Sequence, residues 1–325
     1  MTSGRYWHTA SVLINGKVLV TGGFGTGRYL NNAELYDSST GSWTITGNMT
    51  NARYEHTASI LSNGKVLVIG GSNYNSSLIS AELYNPSTGN WTITGNMSIA
   101  RTGHAASLLS NGKVLVTGGG NSIGSFNSAE LYDPSTGIWT TTGNMTTARI
   151  AHTASVLSNG KVLVTGGYNG NVLNSAELYD SSTGNWTTTS NMNNARQWPT
   201  ASVLSNGKVL VTGGENSFGA LNSAELYDPS TGTWTTINNM TNARVQHIAS
   251  VLSNGKVLVT GGTDDGYTSL NSAELYDSST GTWATISNMT NGRYQHTVSV
   301  LSNGLVLVTG GVGNGNINLN SAELY

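Results

Sequence analysis

One ten-residue segment recurs seven times, with small changes, along the 325-residue chain. Its full form, Ser-Asn-Gly-Lys-Val-Leu-Val-Thr-Gly-Gly, is first complete at residues 110–119. Asn-Gly between two apolar segments predicts a β-hairpin with a type I′ turn, in which both central residues have positive φ. The apolar run after the turn is typical of a strand covered on both faces, and two glycines then end it. The seven pairs begin at Asn15, Asn63, Asn111, Asn159, Asn206, Asn254 and Asn303.

Each repeat contains four predicted strands, A to D, and no segment with helical periodicity. In the fourth repeat they span residues 152–157, 161–165, 176–179 and 186–189. One four-stranded sheet cannot bury both of its faces, whereas seven sheets stacked around an axis can. The sequence therefore predicts an all-β fold, a seven-bladed β-propeller of four-stranded antiparallel blades that forms a single domain over residues 1–325. Its repeats span residues 5–52, 53–100, 101–148, 149–195, 196–243, 244–292 and 293–325.

The seventh repeat is incomplete. Ser-Thr-Gly-x-Trp, which introduces strand D, occurs six times, and the seventh repeat ends with strand C at Tyr325. Residues 1–4 correspond to the end of a strand D and do not replace the strand. We expect a three-stranded last blade with an open edge at residues 322–325, and such an edge favours self-association.

The Gly-Gly after strand B, the Tyr in strand C and the Trp seven residues later resemble the kelch-repeat family, whose repeats are close to 50 residues long. The resemblance implies four-stranded propeller blades and a domain that binds a protein partner. Galactose oxidase has a propeller of this kind, but its copper–radical chemistry depends on a Tyr crosslinked to a Cys. Because the chain contains no cysteine, we do not expect that activity.

Composition and motifs exclude several function classes. Charged residues are 9% of the chain and the net charge is −2, so the basic surface that binds nucleic acid is missing. No apolar run approaches the roughly 20 residues of a membrane helix. No hydrolase, phosphate-loop or metalloprotease motif is present, so we predict no enzyme and no cofactor. The segment Asp264-Asp265-Gly266 is expected to be a turn rather than a Ca²⁺ site.

Glycosylation sequons favour an extracellular location, although the sequence does not determine it. They begin at Asn48, Asn75, Asn90, Asn96, Asn144, Asn185, Asn239 and Asn288.

Arg and Glu recur in every repeat about 29 positions apart, as Arg53 and Glu82 do. We interpret them as partly buried ion pairs that hold each blade. A histidine follows the Arg by three positions in six repeats, and Pro199 takes its place in the fifth. A ring of imidazoles can bind a transition metal. Without carboxylate or thiol groups at ligand spacing, we expect these histidines to pack and form hydrogen bonds, and we predict no metal site.

The repeats differ mainly in the B–C loops and the D–A connections, which an up-and-down blade presents on one face. Rigid scaffolds carry function on such loops. The D–A positions supply aromatic and amide side chains, which suit peptides or sugars. The predicted ligand-binding residues are Tyr6, Trp7, Tyr54, Glu55, Gln197, Trp198, Gln246, Tyr294 and Gln295.

Four functions remain open at this stage. The first is a non-enzymatic recognition scaffold that binds a protein or peptide on the B–C/D–A face. The second is a lectin-like carbohydrate-binding propeller. The third is the propeller part of a larger secreted oxidase-like enzyme. The fourth is a consensus or designed repeat protein without a natural ligand, because the repeats are nearly identical.

Overall fold

The computed structural model describes residues 1–74 and 76–325, so the sequon residue Asn75 lies outside the described residues. The described chain forms seven antiparallel sheets arranged as the blades of one propeller, without α-helices. No helix is long and apolar enough to cross a membrane in this part of the chain. The predicted all-β, seven-bladed architecture is confirmed.

The strands follow the order A-B-C-D from the axis outward. Strands A span Thr9–Val12, Thr57–Ile60, Ala105–Leu108, Thr153–Val156, Thr200–Val203, Ile248–Val251 and Thr297–Val300. Strands B span Val18–Thr21, Val66–Ile69, Val114–Thr117, Val162–Thr165, Val209–Thr212, Val257–Thr260 and Val306–Thr309. Strands C span Ala33–Asp37, Ala81–Asn85, Ala129–Asp133, Ala176–Asp180, Ala224–Asp228, Ala273–Asp277 and Ala322–Leu324. Strands D span Ser42–Ile45, Asn90–Ile93, Ile138–Thr141, Asn185–Thr188, Thr233–Thr236 and Thr282–Ile286.

Four of the B–C loops contain a further hairpin of two-residue strands. These hairpins pair Phe24–Gly25 with Arg28–Tyr29, Gly120–Asn121 with Gly124–Ser125, Glu215–Asn216 with Gly219–Ala220, and Val312–Gly313 with Ile317–Asn318.

The A–B turn differs from the prediction. In blade 1 the Gly16 N–H donates to the Leu13 carbonyl and the Leu13 N–H donates to the Lys17 carbonyl. Positive φ occurs at Gly16 (80°) but not at Asn15. The turn therefore begins at Leu13 and is a three-residue loop that ends in a left-handed glycine, not a type I′ turn. Asn15 contributes through its side chain, whose Oδ1 accepts the Lys17 N–H.

The Gly-Gly pair is required by close contacts at the joint between blades. A Cβ on Gly22 would lie 2.7 Å from the Arg53 carbonyl oxygen and 2.8 Å from the His56 ring of the next blade. A Cβ on Gly23 would lie 2.6 Å from the Tyr6 carbonyl oxygen of its own blade. The two glycines thus let the end of strand B approach both its own A segment and that of the neighbouring blade.

Adjacent blades share their hydrophobic cores. One such core joins Leu115 of blade 3 to Val162, Val164 and Tyr179 of blade 4. All residues of strands B are buried, as the unbroken apolar runs predict. Five of the strand-D tryptophans also donate their indole N–H to a carbonyl of the preceding blade, as Trp186 does to Gly143 at 2.7 Å. The aromatic residues therefore fix the blade-to-blade distance as well as filling the core.

The Arg–Glu pairs are present in all seven blades and are more deeply buried than predicted, since every Arg side chain is fully buried. In blade 4, Arg149 Nη2 lies 2.8 Å from Glu177 Oε1, and its Nη1 donates to the Gly166 carbonyl. Glu177 also accepts the backbone N–H groups of Thr146 and Thr147. Each pair thereby connects the D–A segment to the end of strand B and to strand C.

Blade 7 has three strands, as predicted. Residues 1–4 form no strand. Residues 1–5 instead join blade 1 to blade 7, because the Met1 amino group donates to the Asn320 carbonyl and the Gly311 N–H donates to the Arg5 carbonyl. The Gly311–Arg5 hydrogen bond between blades 7 and 1 corresponds to the hydrogen bond from Gly23 N–H to the Arg53 carbonyl between blades 1 and 2.

Replacing Arg149 with Met should destabilise the protein by about 3–5 kcal/mol, because it leaves the Glu177 carboxylate buried without its counter-ion. Chemical denaturation measures this change in the free energy of unfolding. The exposed pair Lys161–Asp180 provides the control, since Lys161→Met should cost at most about 1 kcal/mol. Equal small effects of both substitutions would contradict a structural role for the buried pair.

The open edge should support concentration-dependent self-association. The N–H and C=O of Tyr325 both pair with Val306, so those of Leu324 face away from the sheet. Leu324→Pro removes an edge N–H without removing a hydrogen bond of the blade and should abolish association. Sedimentation velocity over a range of concentrations tests this prediction. Dimers that persist in the proline variant would show that the open edge is not the site of association.

Candidate functional site

A cavity of about 720 Å³ opens on the propeller axis and is lined by residues from all seven blades. The D–A connections and B–C loops meet at this mouth, because in each blade the first D–A residue bridges to the beginning of the B–C loop. The pairs are Tyr6–Phe24, Tyr54–Ser72, Thr102–Gly120, Ile150–Tyr168, Gln197–Glu215, Val245–Thr263 and Tyr294–Val312. The variable segments therefore lie on one face, as the strand order predicts.

The predicted binding residues divide into two groups. Five occupy the second D–A position and line the cavity: Trp7, Glu55, Trp198, Gln246 and Gln295. Four occupy the first D–A position, pair with their own B–C loop and do not line the cavity: Tyr6, Tyr54, Gln197 and Tyr294. The division is not strict around the ring, because the first-position residues Thr102 and Ile150 of blades 3 and 4 also line the cavity.

The second D–A position has a left-handed backbone in every blade. Its φ is 50° at Trp7 and Glu55, 61° at Gly103 and 48° at Trp198. Such a conformation costs a bulky residue roughly 1–3 kcal/mol and is concentrated at functional sites. Backbone hydrogen bonds between adjacent blades compensate for part of this strain, since Glu55 N–H donates to Trp7 O at 3.2 Å and Trp7 N–H donates to Gln295 O at 3.3 Å.

The six histidines lie beneath this ring and are almost completely buried. Their Nε2 atoms contact threonine hydroxyls of the preceding blade, for example His8 with Thr297 at 2.9 Å and His152 with Thr117 at 3.0 Å. The predicted packing and hydrogen-bonding role is therefore confirmed. Among the described residues no three His, Cys, Asp or Glu side chains are grouped so that they could hold a metal ion.

Burial keeps these imidazoles neutral. Burial first, and the neighbouring arginines second, lower the pKa of His104 and His247 to about 3. The pKa of each of the other four histidines also lies well below its ordinary value, for the same reasons. The base of the cavity thus carries no positive charge near neutral pH.

An aromatic cluster forms one wall of the mouth in blades 1 and 2. The Trp7 ring lies 5.3 Å from those of Tyr6 and Tyr54. Tyr29, from the hairpin of the first B–C loop, lies 5.1 Å from Tyr54 and 4.3 Å from Tyr74. Tyr6 and Tyr54 therefore support Trp7 from behind, although they do not line the cavity themselves.

Sequence reasoning missed several cavity residues. In blade 3 these are Thr102, Gly103 and the loop residues Asn121 and Ser125. Gly103 and Ala151 occupy the same repeat position as Trp7, so alignment of the repeats alone could have identified them. No sequence signal places Asn121 and Ser125, because that depends on how the loop hairpin folds over the mouth.

Apolar side chains are exposed in the B–C loops, which lie on the same face as the cavity mouth. Phe218 is 96% exposed and Ile123 is 87% exposed, and Tyr267 and Ile317 are exposed as well. Trp198, on the cavity wall itself, is 37% exposed. Exposed apolar groups gathered on one face are typical of interaction surfaces.

The buried histidines should make stability sensitive to mild acid. In the unfolded chain the histidines bind protons below about pH 6.5, whereas in the folded chain they do so only at much lower pH. The free energy of unfolding therefore falls as the pH decreases below about 6.5. Between pH 7 and pH 5 we expect a loss of roughly 1–2 kcal/mol per histidine. Denaturation at several pH values measures it. His152→Gln should reduce the number of protons taken up on unfolding by about one, and an unchanged pH slope would contradict neutral burial.

Comparisons with known proteins agree with this geometry. The family model described as the KLHDC2/KLHL20/DRC7 kelch-repeats domain matches residues 1–147 and 140–311. A solved structure described as a novel fungal alcohol oxidase of the AA5 family, in complex with copper, superposes with a TM-score of 0.77. The two chains are 20% identical, and the match covers 98% of this chain and 73% of the oxidase. No curated protein matches the chain.

Proposed function

The chain belongs to the kelch-repeat family, and from this premise we propose that it is a non-enzymatic recognition scaffold that binds a protein segment on the B–C/D–A face. The observation that carries the proposal is the axial cavity of about 720 Å³, which is open on that face and lined by Trp7 and Trp198. Ligand pockets are typically concave, mostly apolar and supplied with a few polar groups. Here the polar groups include Gln246, Gln295 and Asn121.

The surface around the cavity supports a protein ligand in particular. The exposed side chains of Phe218 and Ile123 in the B–C loops add apolar surface outside the cavity on the same face. Tyrosine and tryptophan provide large contact areas at low cost in conformational entropy. A protein segment that enters the cavity can therefore bury the exposed B–C loop side chains at the same time.

Carbohydrate binding is the second candidate. Aromatic rings next to amide groups also suit sugar rings, and the Gln295 amide donates to the Gln246 side chain at 2.8 Å inside the cavity wall. That arrangement holds both amides in a fixed orientation toward the cavity. A glycan array with the purified chain distinguishes this function from peptide binding.

The oxidase-like alternative receives less support. The alcohol oxidase shares the fold at 20% identity, which does not transfer its chemistry. The residues described here do not fit a copper centre of several protein ligands, because no three His, Cys, Asp or Glu side chains are suitably grouped. We therefore derive no reaction step through copper for this chain.

Selection of peptides from a random displayed library tests the proposal. Peptides that bind the wild-type chain should bind the Trp198→Ala variant at least about 10-fold more weakly, as expected for an aromatic anchor. Isothermal titration calorimetry on synthetic peptides measures the affinities.

The matched control is Ile14→Ala. Ile14 is 81% exposed but lies in an A–B turn on the opposite face, so its replacement should leave binding unchanged. Failure to select any peptide, together with specific binding on the glycan array, would replace the first candidate by the second. Equal losses in both variants would place binding away from the proposed face.

A further inference from the structure

Glu55 is a carboxylate in the cavity wall without a positively charged partner. Its Oε2 accepts a hydrogen bond from the Thr102 hydroxyl at 2.9 Å. Its Oε1 has no hydrogen bond among the contacts of the described residues. The ion pairs found in residues 1–74 and 76–325 join Arg to Glu within the blades and Lys to Asp at the surface, and none includes Glu55.

The remaining cavity lining offers this carboxylate no compensation. Among the described lining residues Glu55 is the one charged side chain, since the others are neutral polar, aromatic, aliphatic or histidine residues. Burial keeps the histidines neutral. Arg28, on the loop hairpin of blade 1, is exposed and does not line the cavity. The cavity is therefore negatively charged and is bordered by aromatic faces.

We propose that Glu55 is the counter-ion for a lysine or arginine side chain of the bound protein segment, which enters the cavity beside Trp7. The proposal rests on the function proposed above and specifies the chemistry of the ligand. Trp7 and Glu55 occupy equivalent positions in adjacent blades and are joined by a backbone hydrogen bond. An ammonium or guanidinium group near Glu55 is therefore close to the Trp7 indole, and an aromatic face attracts such a cation.

The energetics of burial favour this occupant. The pKa of Glu55 is raised, because the effect of burial is only partly offset by the hydrogen bond from Thr102. Glu55 is only partly buried in the open cavity. A ligand that covers it takes the carboxylate out of water, which is unfavourable unless the ligand supplies a cation to pair with it. The aliphatic part of a lysine or arginine side chain can also cover apolar cavity wall while its charged end meets Oε1. An anionic group placed beside Glu55 would be repelled by its carboxylate.

The opposite side of the cavity suggests what accompanies the cation. Trp198 and Pro199 of blade 5 and Ile150 and Ala151 of blade 4 form an apolar wall. Blade 5 lies nearly opposite blade 2, which carries Glu55, and blade 4 is its neighbour in the ring. We expect the bound segment to carry an apolar residue next to its cationic one.

The test uses the displayed random peptide library on the wild-type chain and on Glu55→Gln. The amide oxygen of the introduced glutamine can still accept the hydrogen bond from Thr102, so the variant removes the charge without removing that contact. Selection on the wild-type chain should enrich Arg or Lys at one position, and selection on the variant should not. A synthetic wild-type-selected peptide should bind the variant about 10- to 100-fold more weakly.

Two controls test whether the peptide's cationic side chain pairs with Glu55. Glu215→Gln removes a carboxylate on the same face that is bound by the Gln197 side chain and does not line the cavity, so it should leave affinity unchanged. Replacing the peptide's arginine by citrulline should weaken binding to the wild-type chain and make no further difference in the Glu55→Gln variant. That non-additivity would locate the cation at Glu55.

The outcomes separate this inference from the proposed function. Peptides that depend on Trp198, lack enriched Arg or Lys and bind Glu55→Gln as tightly as the wild type would overturn the inference and leave the function standing. A further experiment titrates n-butylammonium, without peptide, into the wild-type chain and follows the NMR signals of the tryptophan indoles. Shifts of the Trp7 signal in a chain that binds no peptide would mean that a small organic cation is the ligand, and both proposals would fail.

Discussion

The buried Arg–Glu pair is the interaction on which the remaining structure depends. Buried ion pairs contribute little net stability compared with apolar residues of the same volume, so their repetition in seven blades points to positioning. In each repeat the arginine lies two residues before the left-handed residue of the cavity wall, as Arg5 does before Trp7. By tying this segment to strands B and C, the pair holds the cavity wall in place and lets a strained backbone persist there.

Sevenfold repetition provides rigidity, whereas selectivity requires that the symmetry be broken. The histidine and threonine contacts, the paired glycines and the shared apolar cores are nearly the same in every blade. At the level of the cavity wall the same backbone position holds Trp, Glu, Gly, Ala, Trp, Gln and Gln in turn. The same backbone position therefore presents five different residue types to one cavity, so the cavity wall can vary without any change in the scaffold.

The sequence was sufficient to predict what depends on local pattern. Strand order, the buried strands B, the ion pairs and the three-stranded blade 7 all follow from residue spacing and from counting motifs. The prediction of a type I′ turn was wrong because Asn-Gly fits two hairpin types, and the choice depends on where the turn begins relative to Leu13. Which of two neighbouring D–A residues lines the cavity was not predictable, because the left-handed backbone at Trp7 or Glu55 arises from contacts between blades rather than from residue preference.

Pro199 affects the mechanics of the ring. At the other joints a histidine side chain reaches a threonine of the preceding blade, but between blades 4 and 5 the hydroxyls of Thr153 and Thr165 bond only to each other, and Gly166 faces no imidazole. The joint between blades 4 and 5 therefore lacks the histidine–threonine hydrogen bond that the other six joints have. Local opening of the ring is expected first between blades 4 and 5, next to Trp198 on the cavity wall.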